Sequence, residues 1–135
     1  MFVILKKAEV KLIIFSAPSG AGKTTAQKIL YKILHHFSGE ILVEGKPLQA
    51  WGKNYYEKIG VGFELPNHYL NLTGKENIEL FTSFYRPEKL LNINTLFNTL
   101  GLADSLHKKV SDYSKGMKMR LNFIRAIVHH MGKRY

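Results

Sequence analysis

Apolar residues follow two rhythms along this chain, and the alternation between them predicts its elements. Val10 to Phe15 is a short, partly β-branched apolar run ending in Ser16-Ala17-Pro18-Ser19-Gly20, which reads as a buried strand entering a loop. Ala26, Ile29, Leu30, Ile33, Leu34 and Phe37 then recur at i, i+3, i+4 spacing, predicting a helix with one stripe on a sheet that closes at Ser38-Gly39. From Glu40 to Glu44, Ile41 and Val43 alternate against Leu42 ahead of Gly45-Lys46-Pro47, predicting a small strand pair and a turn. Ile59 to Phe63 predicts another strand, closed by Pro66 and Asn67. Thr73 with Glu76 has the spacing of a capping box. The helix it opens would bury Ile78, Phe81, Phe84 and Tyr85 and break at Pro87. A shorter helix around Leu96, Phe97 and Leu100 should end at Gly101. Ser114 should start the last helix, with Met117, Leu121, Ile124, Val128 and Met131 on one side.

Composition narrows the class. A chain of 135 residues suits one domain. Its longest nearly unbroken apolar runs, such as Leu12 to Phe15 and Phe123 to Val128, are far shorter than the ~20 residues needed to cross a bilayer. Lys6 and Lys7 follow the apolar Met1 to Leu5 instead of preceding it, so no export signal is read. The absence of cysteine excludes a disulfide framework and a thiolate zinc site, and suits a reducing cytoplasm. The formal charge of +10 raises nucleic acid as a partner, but the bases stand singly or in pairs. Without a basic run or interleaved aromatics, the expectation is a solvated surface and no nucleic acid. The pairs His35-His36 and His129-His130 are read as surface residues, since neighbours on a helix point apart. Trp51, Tyr55, Tyr56 and Tyr69 suit either a docking surface or half-buried packing.

The chemistry concentrates between the first strand and the first helix. Ala17-Pro18-Ser19-Gly20-Ala21-Gly22-Lys23-Thr24-Thr25 is a phosphate-binding loop in the context such a loop requires. Gly20 and Gly22 let successive backbone N–H groups face phosphate oxygens, and the positive end of the following helix points the same way. Ser19 and Ala21 complete the cradle, Lys23 adds a point charge for the β- and γ-phosphates, and Thr24 offers a hard oxygen to Mg²⁺. Thr25 lies at the cradle's edge. The general pattern opens with Gly, where this chain has Ala17, which needs a negative φ there.

Tyr113-Ser114-Lys115-Gly116-Met117-Lys118-Met119-Arg120-Leu121 resembles the signature motif of ABC (ATP-binding cassette) ATPases, in the Ser-Lys-Gly-Met form of exporter-type subunits. Ser114 can cap a helix and Gly116 lets backbone N–H groups approach a phosphate; standing alone, the segment reads more readily as an ordinary capped helix with a basic face. Ser38 to Pro47 is similar to the family's small β-subdomain, and Ile59-Gly60-Val61-Gly62-Phe63-Glu64 to a segment that usually ends in Gln. Leu72-Thr73-Gly74-Lys75-Glu76-Asn77 resembles the opening of the exporters' helical subdomain, and reads equally as a capped surface helix.

The resemblance implies an α/β fold, a P-loop nucleoside triphosphate hydrolase core with an incomplete sheet. It implies a partial nucleotide-binding domain over 1–135, with a phosphate loop at 17–25, a β-subdomain at about 38–64 and a helical signature subdomain at about 72–131. ATP and Mg²⁺ are the implied cofactors, with Ser114 and Gly116 meeting the nucleotide of an opposing subunit and with Thr24 and Glu64 at the metal. The implied partners are a membrane-spanning permease and a second ATP-binding subunit, on the inner face of the cell membrane. In a complete relative, ATP-driven closure would expel a substrate such as a drug or antibiotic.

The family follows its signature helix with a strand ending in an Asp for Mg²⁺ and a Glu that activates water, then a switch His. The two aspartates here, Asp104 and Asp112, both precede that helix. The expectation is a truncated chain that binds nucleotide, hydrolyses it near background, and leaves one flank of a parallel sheet unpaired, making it marginally stable. Two other readings stay open, a non-catalytic nucleotide-binding or regulatory protein and a small P-loop kinase.

Overall fold

The computed structural model describes residues 2–6, 10–14, 18, 20–62 and 67–129. Ala17, Ser19, Glu64 and Met131, all named above, lie outside them. Strands β1 (Phe2–Lys6), β2 (Val10–Ile14) and β5 (Ile59–Gly62) form one sheet in the order β2-β1-β5. Both pairings are antiparallel, with Phe2 opposite Ile14 on one side and Gly62 on the other. This corrects the expected parallel sheet. β2 and β5 do run the same way, but β1 lies between them, and the three-residue link from β1 to β2 is too short for a parallel crossover.

Helix α1 (Lys23–Leu30) stops well before the predicted Ser38. Its end is a Schellman arrangement, in which Ile33 N–H donates to the Lys28 carbonyl and Lys32 N–H to that of Ile29, with Lys32 left-handed at φ 58°. Three long side chains hold this end. The Tyr55 hydroxyl donates to the Leu30 carbonyl at 2.8 Å, Tyr56 to that of Tyr31 at 3.4 Å, and Lys32 Nζ reaches the Trp51 carbonyl. Ile33 and Leu34 consequently leave the helical stripe and are exposed.

The strand pair is β3 (Leu42–Val43) with β4 (Lys46–Pro47). The chain reverses at Glu44 and Gly45, both at positive φ, so the turn sits earlier than predicted and Lys46-Pro47 belongs to the returning strand. Val43, Leu48, Trp51, Tyr55, Ile59 and Tyr31 form the core joining this hairpin to α1. Trp51 and Tyr55 are thus packing residues, whereas Tyr56 and Tyr69 face solvent.

The remaining helices are α2 (Gly74–Thr82), α3 (Ile93–Thr99) and α4 (Lys115–Ile127). The capping box forms as predicted, with Thr73 Oγ1 accepting from Glu76 N–H at 3.1 Å and Glu76 Oε2 from Thr73 N–H at 2.7 Å. Helix α2 ends ahead of Pro87, and Phe84, placed past its last turn, is 82% exposed instead of buried. Gly101 closes α3 at φ 66°, and Ser114 caps α4. Ile78, Phe97, Leu102, Val110, Tyr113, Leu121, Ile124 and Val128 form a second core between these helices. Helix α4 also packs on β5. There His129 is buried and stacked on Tyr85 with ring centroids 4.4 Å apart, contrary to its surface reading, because α4 carries it onto the Ile59 carbonyl.

Candidate functional site

The phosphate-loop segment enters α1 through two left-handed glycines, Gly20 at φ 85° and Gly22 at φ 82°. A Cβ at either glycine would meet no atom within 4 Å, so backbone conformation and not crowding calls for glycine here. Gly22 is the N-cap, and no side chain caps the helix. The first helical bond runs from Ala26 N–H to the Gly22 carbonyl at 3.0 Å, which leaves the N–H groups of Lys23, Thr24 and Thr25 without helical acceptors. Pro18, Gly20, Ala21, Gly22, Thr24 and Thr25 are exposed and Lys23 is half-exposed. An uncapped, positively polarised helix start beside left-handed turns, with an ammonium and two hydroxyls, suits a polyphosphate chelating a hard cation. No group of three or more His, Asp or Glu that could hold a metal on its own occurs among the described residues.

The second predicted segment is built differently. Ser114 Oγ accepts from Met117 N–H at 3.2 Å, which fills the cap and leaves the hydroxyl proton free to donate outward. Gly116 is exposed, within the same first turn. Arg120 spans from α4 to the end of α3, where its Nη1 donates to the carbonyls of Leu100 at 3.1 Å and Gly101 at 3.3 Å. Tyr113, just before the cap, is buried and donates to the Ser105 carbonyl. Gly74 lies against it, and the bridge between Thr73 and Lys109 ties the start of α2 to the approach to α4. No hydrogen bond or ion pair among the described residues joins Ser114 or Gly116 to the phosphate loop.

A feature unforeseen from sequence lies between α2 and α4. A hollow of about 350 Å³ is walled by His68, Tyr69, Asn77, Leu80, Phe84 and Arg125. Asn77 closes one wall by taking the Tyr69 N–H at 2.8 Å and donating to the Tyr69 and Thr73 carbonyls, both at 2.9 Å. His68 Nε2 lies 3.2 Å from the Lys118 carbonyl, and burial lowers its pKa, opposed by that hydrogen bond and aided by the charges of Arg125 and Lys118. Burial also lowers the pKa of Arg125. The only sequence signal for Arg125 is a polar type inside the apolar stripe of α4, and His68, in the loop before α2, carries none.

Two left-handed glycines opening a helix at Lys23 and Thr24 are the features of a P-loop fold. Residues 5–132 match the family model described as ABC transporter, and the chain belongs to that family. The fluoroquinolones export ATP-binding protein of Mycobacterium tuberculosis is 48% identical over 112 residues, 83% of this chain and 37% of that protein. The bacitracin transport ATP-binding protein of Enterococcus faecalis is 33% identical over 82% of this chain and 36% of its own length. The lantibiotic transport ATP-binding protein of Streptococcus pyogenes is 32% identical over 88% of this chain and 50% of its own. The chain therefore spans half or less of each of these relatives. Among the described residues no helix is long and apolar enough to cross a membrane.

Proposed function

We propose that this chain supplies the nucleotide-binding part of an ABC-type exporter, coupling ATP binding to movement of a membrane-spanning partner. The observation that carries the reading is the pair of left-handed glycines delivering an uncapped helix N-terminus beside Lys23 and Thr24. Backbone N–H groups of Gly20 and of Gly22 to Thr25 hold the phosphates, with Ser19 and Ala21 in the same loop, where the Ala21 N–H donates to the Pro18 carbonyl at 3.3 Å. Lys23 neutralises their charge, while Thr24 and Glu64 hold the Mg²⁺ that offsets the rest. The outward Ser114 hydroxyl and the N–H groups near Gly116 form the second half-site, which meets nucleotide held by a paired subunit. The division into a phosphate loop at 17–25, a β-subdomain near 38–64 and a helical part near 72–131 belongs to this reading.

The permease contact falls on the hollow's apolar rim, where Tyr69 is 64%, Leu80 41% and Phe84 82% exposed. On this reading the chain works in the cytoplasm, against the membrane's inner face. The names of the relatives support an antimicrobial compound as the class of exported substrate. Titration of the chain with a fluorescent ATP analogue and Mg²⁺ tests the core of the reading. Saturable binding lost on Lys23→Ala supports it, and binding insensitive to that substitution, or none, refutes it.

A further inference from the structure

We infer that Tyr55 is a positioning residue for the phosphate loop: its hydroxyl grips the far end of α1 and so fixes the direction in which the first turn presents its N–H groups. The inference rests on the phosphate-binding reading above and adds what aims that site. Helix α1 has eight residues, well below the ~12–15 at which a helix holds together by itself in water, so its direction is set by what grips it. Its two ends are built oppositely. No side chain caps the N-terminus, where Gly22, Thr24 and Thr25 are exposed. At the other end the backbone closes three carbonyls, with Tyr31 N–H donating to Gln27, Ile33 N–H to Lys28 and Lys32 N–H to Ile29, each at 2.9 Å. The next two carbonyls, of Leu30 and Tyr31, accept instead from the Tyr55 and Tyr56 hydroxyls, 25 residues along the chain.

Of these two bonds, that of Tyr55 carries the constraint. It is 2.8 Å long against 3.4 Å, and Tyr55 is 0% exposed where Tyr56 is 46%. The Tyr55 ring lies 6.3 Å from that of Trp51 and 5.8 Å from that of Tyr56, so it cannot move without them. Burial pushes the Tyr55 pKa up to about 12, so the hydroxyl donates throughout the neutral range. Shortly after Tyr55 the chain enters β5, which packs on α4. Tyr55 therefore ties α1 to the sheet at a point about 12 Å from the phosphate loop, at about 1.5 Å of rise per residue. If the grip is lost, a tilt of α1 by about 5° moves its first turn by about 1 Å. Misplacement on that scale can cost an oriented site up to about a hundred-fold.

The test uses the full chain, Mg²⁺ and inorganic tripolyphosphate, a probe with no base to touch the indole, in calorimetry below the unfolding transition. Tyr55→Phe keeps the ring and removes the donor, and should weaken binding by about ten-fold. Replacing Tyr55 by 4-aminophenylalanine, which restores a donor at the same place, should recover most of that loss. Val110→Ala, buried in the other core, should lower stability and leave affinity unchanged. Trp51 is the sole tryptophan, and its carbonyl receives Lys32 at the end of α1, so its emission reports on the grip. Coupling is reciprocal, so bound tripolyphosphate should shift Trp51 emission in wild type and far less in Tyr55→Phe. The inference is overturned if Tyr55→Phe binds as wild type does, if the amine restores nothing, or if Val110→Ala loses affinity equally. Wild-type emission that ignores bound ligand also overturns it, and decides alone should Tyr55→Phe not fold. If wild type binds no tripolyphosphate, the phosphate-binding reading falls, and hydrogen exchange at Ala26, whose N–H is bonded to Gly22, judges the inference separately. Faster exchange there in Tyr55→Phe than in Val110→Ala supports it, and equal exchange overturns it.

Discussion

Gly74 offers the sharpest test of how the start of α2 and the approach to α4 are locked together. A Cβ built there would lie 2.1 Å from the Tyr113 hydroxyl oxygen, 2.9 Å from Phe97 Cε1 and 3.0 Å from Tyr113 Cζ. Both rings are buried, with Phe97 0% and Tyr113 3% exposed, so neither can swing into solvent. Relief by moving Tyr113 breaks its bond to the Ser105 carbonyl and displaces the residue that precedes the Ser114 cap. Overpacking costs about 1–3 kcal/mol, and stranding a buried hydroxyl adds about 1–3 kcal/mol. Alanine returns at most about 1 kcal/mol of helix propensity. The net expectation for Gly74→Ala is a loss of about 1–6 kcal/mol. With an m-value of about 2 kcal/mol per molar urea, the midpoint should fall by about 0.5–3 M, or the variant should be unfolded in water. Adding Tyr113→Phe removes the 2.1 Å clash but not the two longer ones, so the double variant should recover only part of the loss. A Gly74→Ala chain as stable as wild type would refute the packing described between α2, α3 and the start of α4.

Asn77→Ala strips the 69–73 segment of its pins at Tyr69 and Thr73, and should cost about 1–3 kcal/mol in urea unfolding; an unchanged midpoint would show that the segment is held otherwise. Burial raises the Tyr55 pKa to about 12 from an ordinary value near 10, with the neighbouring tyrosines adding to the shift. The unfolded chain therefore loses this proton first, so the contribution is intact below pH 10 and is lost as pH rises toward 12. Tyr55→Phe should be less stable at neutral pH, with the Leu30 carbonyl left unpaired, yet show a shallower alkaline decline; parallel profiles would contradict the assignment. His68 shifts the other way. Its lowered pKa means that stability present above its ordinary value, about 6.5, declines as pH falls toward the folded value, and His68→Phe should flatten that limb of a denaturation series. Glu64 stands where the family usually has Gln, and without metal a carboxylate repels the γ-phosphate by roughly 1–4 kcal/mol at about 4 Å. Nucleotide binding should therefore depend more strongly on Mg²⁺ in the wild type than in Glu64→Gln, and equal dependence in titrations of both would remove Glu64 from the metal.

Local signals survived the passage from sequence to structure wherever the interactions they encode are themselves local. The Thr73–Glu76 box, the Ser114 cap, the Gly101 terminator and the glycine turn ahead of Lys23 are closed by groups within a few residues, so residue type and spacing suffice to write them down. The apolar stripes likewise place Ile78, Phe97, Leu121 and Ile124 in the core because helical periodicity is a property of the chain itself. Where neighbours distant in sequence compete, the pattern misleads. Apolar spacing carries α1 on to Phe37, but Tyr55 and Tyr56 capture the carbonyls at its end and Lys32 is drawn to the Trp51 carbonyl, so the helix stops at Leu30. Alternation cannot say which strand pairs with which, and the interposition of β1 between β2 and β5 was settled by chain connectivity and pairing. His129 and Arg125 are polar letters on an apolar face until α4 is laid against β5 and α2. Only that packing turns one into a buried stacking partner and leaves the other a desolvated cation whose hydrogen bonds among the described residues go to neutral acceptors, because desolvation exists only once other elements have excluded the water.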